Sequence, residues 1–463
     1  MVFAITTSIC ARPQPFMEAG TSQPPPLFPA PKPATTETNG AGANTNAVSP
    51  PATRPLDFFG VQIPDAIARG KFNLNVRIRN EWVDEGGVPA IIKNSDAPTI
   101  RTRFGYTTAP LYGLQGMLEG VNVTAIGPEN NYNAAGANGQ GARPVVADPR
   151  LTRLDQAWLG WSYSNYFSGK VGEQHINLDN QRFVGDVAWR QNMQTYDAAQ
   201  AQGSPLKGLD LYYAYVWDVH RVFGNVAGLP VANQDFSSRS HFINVAYSPC
   251  QYVRLAGYAY LLDLGNAAGD GNSCATYGGY LAGAAPVIGE LSLDYRAEFA
   301  WQRQYADSPL RYHADYYNFE LGARWEPLAA GVGYEDLGSG DNEGAGGGRA
   351  SFRTPLATLH AFNGWADVFL TTPANGLRDA YAYAQVTLPG KVPLRFVYHK
   401  FDADFGGGDF GQEFDAVVSK KFGKYWTALV KFADYRGENT PAPSLPSPNV
   451  NLEKIWAQLE FNF

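Results

Sequence analysis

The sequence predicts an all-β chain: a transmembrane, antiparallel, up-and-down β-barrel of about 18 strands behind a disordered Pro-rich lead. Three observations carry that expectation. Segments of about ten residues alternate apolar and polar side chains with a period of two. The connections between them alternate between short and long. No stretch approaches the ~20 consecutive apolar residues that a membrane-crossing helix requires. Composition agrees, since 26 Tyr, 26 Phe, 10 Trp and 49 Gly stand beside only 17% charged residues in a chain of 463. Such a balance favours strands and turns. With 36 Lys+Arg against 43 Asp+Glu, the net charge of −7 argues against a nucleic-acid binder.

Residues 1–56 differ from the rest. Eleven of the 32 prolines lie between Pro13 and Pro55 amid Ala, Thr, Asn and Gly, a composition that cannot bury a core. This stretch is expected to be disordered, with 57–70 a short periplasmic lead-in and 71–463 the barrel. Met1 to Ile9 is apolar but lacks a preceding Lys or Arg, so it makes a poor secretory signal. Cys10 is a weak lipidation site because Ile9 is bulky where a small residue is expected.

The barrel begins at Lys71, where Phe72, Leu74, Val76 and Ile78 alternate with Asn73, Asn75, Arg77 and Arg79. Nine strands are read near 71–82, 98–107, 113–126, 152–162, 167–177, 193–202, 208–220, 238–248 and 251–262. Nine more follow near 274–284, 288–302, 313–325, 328–336, 376–388, 392–401, 410–420, 424–435 and 452–463. The clearest is Glu290 to Gln302, in which Leu291, Leu293, Tyr295, Ala297, Phe299 and Trp301 share one face. Tight turns fall at Ala109-Pro110, Ser248-Pro249, Glu326-Pro327, Pro389-Gly390 and Phe422-Gly423. Long polar connections span 127–151, 221–237, 337–375 and 436–451. An even strand count with every second connection long is the pattern of a bacterial outer-membrane barrel, with short periplasmic turns and long external loops. The last strand ends on Phe463, and Trp82, Tyr106, Trp161, Tyr247 and Trp325 suit the aromatic girdles.

Turning the charged parity inward predicts a lumen lined by Arg77, Arg79, Arg101, Arg103, Arg254, Arg296, Arg324, Arg395 and Lys431. Glu81, Glu119, Asp155, Asp210, Glu290, Asp294, Glu298, Glu320, Glu413, Asp415 and Glu460 join them. Arg77, Arg79, Arg101 and Arg103 form the expected positive patch, or else bridge Glu81 and Glu119. Two connections, 178–192 and 359–376, mix Trp and Phe with charges. They read either as segments folded inward to constrict the bore, presenting Arg182, Arg190 and Asp367 to solute, or as an external cap.

The segments KVGEQHINLDNQRFVGDVAWRQNMQTYDA (170–198) and FNGWADVFLTTPANGLRDAY (362–381) resemble the hallmarks of the alginate-export family of outer-membrane proteins. The resemblance covers most of 71–463 and implies an 18-stranded barrel and an arginine-rich passage for a polyanion. Glu173 stands where that pattern carries Arg, and Val368 where it carries Lys.

No catalytic site is expected, because G-x-S-x-G, Walker and dinucleotide motifs are absent. Six histidines lack metal-ligand spacing, so neither metal nor cofactor is expected. Asp402, Asp404, Gly407 and Glu413 fit a calcium-loop template only in part, since Gly406 replaces a ligand, and the stretch reads as an acidic hairpin tip. Cys250 and Cys274 sit at opposite ends of the barrel and are not expected to bond. The expected function is passive passage or export of an anionic polysaccharide, oligosaccharide or other small anionic solute. Lipid and periplasmic proteins are the remaining partners, nucleic acid is not one, and the alternative is a surface receptor or adhesion barrel with a plugged lumen.

Overall fold

The computed structural model describes residues 62–463 apart from 165, 267–268 and 439–449. The expected lead at 1–56, Cys10 within it, and residues 57–61 lie outside the described residues. A short helix, α1 (Gln62–Ala68), leads into the first strand.

Eighteen antiparallel strands close into one cylinder. They are β1 (Lys71–Gly86), β2 (Ser95–Thr107), β3 (Leu114–Ala125), β4 (Leu151–Tyr163), β5 (Phe167–Gln174) and β6 (Thr195–Leu206). Next come β7 (Leu209–His220), β8 (Phe236–Cys250), β9 (Val253–Leu262), β10 (Cys274–Ile288), β11 (Leu291–Gln304) and β12 (His313–Trp325). The last six are β13 (Leu328–Leu337), β14 (Leu377–Leu388), β15 (Val392–Asp402), β16 (Asp409–Phe422), β17 (Trp426–Arg436) and β18 (Asn451–Asn462). β18 pairs with β1 from Asn75↔Asn462 to Gly86↔Asn451, which removes the last sheet edge. Closure is obligatory in hydrocarbon, where each unpaired backbone N–H or C=O costs several kcal/mol.

Every expected strand is present, and the long and short connections alternate as read. Boundaries moved most at the ends of β1, β6 and β10, each four residues beyond the expected limit, and β8 runs on through Ser248-Pro249 to Cys250, so the turn lies at 251–252. Cys250 and Cys274 are both free thiols. Cys250 pairs with Val253 beside a short turn while Cys274 pairs with Leu262 at the other end of β9, so the strand's length separates them.

Parity sorts the two faces. Phe104, Leu159, Phe319, Leu321, Val332 and Val430 are exposed on the outer surface, as a lipid-facing band requires. The alternate residues are buried in the bore, which contains most of the hydrophobic core. That core exists because two external connections fold into the cylinder. The first is 175–194. The second is 338–376, which makes a small hairpin (Ser339–Asp341 with Arg349–Ser351) before it turns inward. The two join through a parallel bridge, Val184↔Leu356, flanked by Gly185 N–H to the Leu356 carbonyl (2.9 Å) and Thr358 N–H to the Gln181 carbonyl (3.0 Å). Both segments therefore run inside the cylinder.

Candidate functional site in the bore

Arg77, Arg79, Arg101 and Arg103 lie on neighbouring strands β1 and β2 and face inward, with Arg77 paired across to Arg101. The segment 175–194 covers them. Arg77, Arg79 and Arg101 are at most 1% exposed. Arg77 and Arg101 share Glu460 at 3.2 and 3.3 Å, and Arg103 meets Asp155 at 3.5 Å. Arg79 donates to Gln458 (2.6 and 3.0 Å) and lies 4.0 Å over the Trp189 ring. Arg77 also donates to the carbonyls of Ala188 (3.0 Å) and Trp189 (3.2 Å). A buried guanidinium without such acceptors would be strongly destabilising, so this patch anchors the inserted chain.

The residues expected to face solute from the inserted segments are also buried. Arg190 bridges Glu81 (3.1 Å) and Asp367 (2.7 Å), and Asp367 accepts from Lys454 (2.9 Å) as well. His360 donates from Nδ1 to Asp367 (2.6 Å), while its Nε2 accepts from Lys431 (2.8 Å). The same imidazole stacks on Trp189 at 4.4 Å. Burial, followed by the Lys431 charge, holds His360 well below its ordinary pKa despite the opposing Asp367, and the imidazole is neutral. Arg182 is held by Glu335 through two bonds (2.6 and 3.1 Å) and by Asn363 (2.9 Å). Placement of Arg182, Arg190 and Asp367 in a solute path is thus corrected. They clamp the two segments to the wall, because once buried each charge must keep its partner.

The other four wall arginines sit differently. Arg254 and Arg296 share a cross-strand row through Ala282, and Arg324 and Arg395 share another through Ala329 and Gln385. All four are on the half of the bore nearer the short turns. Arg254 and Arg324 side chains are 41% and 42% exposed. Arg296 lies 4.0 Å over Tyr280, and Arg395 lies 4.4 Å over Tyr383. Glycines on β13 make room for this aromatic lining, since a Cβ on Gly331 or Gly333 would collide with the Tyr383 or Tyr381 ring. The acids stand behind the cations: Asp294, paired with Arg324, is only 7% exposed, and Glu298, bonded to Arg296 at 2.6 Å, only 1%.

Glu173 and Val368, the two departures from the family pattern, are accommodated. Glu173 accepts from Arg153 and Thr195, and Val368 packs against the core. Two clusters that sequence spacing missed are Glu119–Asp155–His175 and Glu173–Asp197–His220, each drawn together from separate strands and connections. Internal donors already occupy them. Glu119 takes Asn73 and Gln156, Asp155 takes His175 and Arg103, and His220 faces Asp235 at 3.2 Å. At the calcium-like template, Asp404 accepts from Arg378 and the Ser339 N–H, while Glu413 points inward to the Ala366 N–H, so the carboxylates do not converge. Trp189, His360 and Lys454 were the important omissions. Lys454 was legible from the inward parity it shares with Trp456 and Glu460.

No curated protein matches the sequence. Solved barrels do match in fold. Pseudomonas aeruginosa OccK9 (OpdG) gives a TM-score of 0.64 at 14% identity over 86% of this chain and 100% of that one. P. aeruginosa OpdK, solved with vanillate, gives 0.61 at 11% identity over 85% and 98%. Acinetobacter baumannii OccAB3 gives 0.64 at 13% identity over 86% and 100%. The family model for alginate export matches residues 129–424, most of the cylinder and both inserted segments. With that match and this architecture, the chain belongs to the alginate export family, as an outer-membrane β-barrel channel for solutes.

Proposed function

We propose that the channel passes anionic solutes, with carboxylated saccharides such as uronate oligomers as the substrate class, by passive diffusion and without a chemical step. The observation that carries this reading is the layering on β11 and β12: the Arg324 side chain is 42% exposed while its partner Asp294 is only 7%, and Arg296, itself 12% exposed, stands in front of Glu298 at 1%. An approaching carboxylate meets the cation first. Arg254, 41% exposed, and Arg395 extend that surface. Contacts of this kind are weak and multiple, as conduction demands. Arg77, Arg79, Arg101 and Arg103 serve instead as the anchorage of the constriction.

Planar-bilayer recordings test this. The expected result is a pore that prefers anions and is blocked by uronate oligomers, with block weakened in Arg324→Gln/Arg395→Gln. Cation preference, or block that ignores both substitutions, would refute it. The depth to which 175–194 and 338–376 pack against the wall favours one alternative, a surface receptor with a plugged lumen. A closed barrel in the same recordings would establish that reading instead.

A further inference from the structure

Four of the chain's twelve lysines crowd two adjacent short turns, 389–391 and 423–425, or lie within three residues of them. They are Lys391, Lys420, Lys421 and Lys424. All four are exposed, and among the described residues none makes an ion pair. The two turns are close in space: β15 and β16 pair through Leu394↔Val418, and a Cβ on Gly390 would lie 3.6 Å from Lys420 Nζ. Unpaired like charges at this spacing repel one another, and an anionic group would relieve that repulsion.

Lys420 also stands at the foot of a depression of ≈ 500 Å³ in the lipid-facing wall. Two cross-strand rows form it. One runs Lys420–Ala428–Leu459–Ile78 and the other Val418–Val430–Ala457–Asn80. Ala428 and Ala457 supply the hollow, since bulky residues flank them in both rows. Below it, Trp426 packs on Phe461 (5.0 Å) and Tyr425 on Phe463 (5.5 Å), which marks the aromatic girdle at the membrane interface. Because short turns face the periplasm, this foot lies at the headgroup level of the inner leaflet, where glycerophospholipids reside.

We propose that the outer wall of β16, β17, β18 and β1 is a binding site for one anionic glycerophospholipid of the periplasmic leaflet. An acyl chain lies in the Ala428–Ala457 hollow and the phosphate meets Lys420, with Lys391 and Lys424 beside it. The assignment does not depend on what the bore conducts.

The test is lipid retention by the full-length barrel, measured by native mass spectrometry from micelles containing equal phosphatidylglycerol and phosphatidylethanolamine. The wild type should retain phosphatidylglycerol with a preference of about tenfold or more, in keeping with basic residues near a charged lipid surface. Lys391→Gln/Lys420→Gln/Lys424→Gln should abolish the preference. Ala428→Leu/Ala457→Leu, which fills the hollow, should lower retention of both lipids with the lysines intact. Conductance and the heat-modifiable gel migration of the folded barrel should stay unchanged in these variants. Lys420→Gln alone, the mildest change, should lower the preference several-fold and serves if the triple variant folds poorly. Equal retention of the two lipids by the wild type, an unaltered preference in the lysine variants, lipopolysaccharide held in place of glycerophospholipid, or a dimer disrupted by the leucine substitutions would each overturn the proposal.

Discussion

The eight wall arginines read from alternation divide into two groups with opposite surroundings. On β1 and β2, Arg77, Arg79, Arg101 and Arg103 are sealed beneath 175–194 and spend their hydrogen-bonding capacity on Glu460, Gln458, Asp155 and loop carbonyls. On β9, β12 and β15, Arg254, Arg324 and Arg395 keep part of their surface exposed, while Arg296 on β11 is nearly covered at 12%. Both groups share strand parity and charge. The difference teaches that an inward arginine in a barrel is a pore contact only where no external connection folds over it.

The contrast is best broken at the clamp. Asp367→Ala strips acceptors from Arg190, Lys454 and His360 at once. Leaving buried charges uncompensated costs about 3–5 kcal/mol, so the inserted segments should detach. A lower unfolding midpoint together with a larger single-channel conductance is the expected pair of signals, and an unchanged conductance would count against the clamp. Trp189→Ala comes next, at about 3 kcal/mol, because it removes a buried ring that stacks on His360 and carries Arg79.

Acid should act on the same clamp with a definite sign. His360 is kept neutral below its ordinary pKa when docked, so the released segment binds the additional proton. The contribution is complete above about pH 6.5 and declines as pH falls below that value, by up to about 1.4 kcal/mol per unit. His360→Gln, which can donate to Asp367 and accept from Lys431 without titrating, should flatten this dependence in pH-resolved conductance records.

The smallest effect on stability is expected in the second group. Arg254→Gln, at a pair with Asp210 that is exposed on both sides, should change stability by only about 0–1 kcal/mol, while lowering anion preference several-fold. Preference in the wild type should also fall as salt rises from 0.1 to 1 M, where the screening length shrinks from about 10 to about 3 Å. If Arg77→Ala changed selectivity as much as Arg324→Gln without loss of stability, the division between the two groups would collapse.

How far the site could be read from the chain follows the range of the interactions. Alternation in Lys71–Gly86 already separates Arg77 and Arg79 from Phe72 and Ile78, because successive strand side chains point to opposite faces. The mixture of Trp189, Arg190 and Asp367 with apolar residues marked their segments as ordered. It could not show that Arg77 meets Glu460, 383 positions away, or that Arg182 meets Glu335 and Asn363. Nor could it show that Glu81 meets Arg190, from a connection whose path has no signature in local pattern.

The chain by itself determined the closed cylinder, its strand number and the face each residue takes, since these follow from a two-residue period and from the need to pair every backbone group in lipid. Tertiary structure alone decided which inward charges become anchors and which still meet the bore. That outcome rests on how two external segments cross-link inside the cylinder, Val184 against Leu356 and Asp367 against Arg190, and buried charges settle wherever such distant partners first satisfy them.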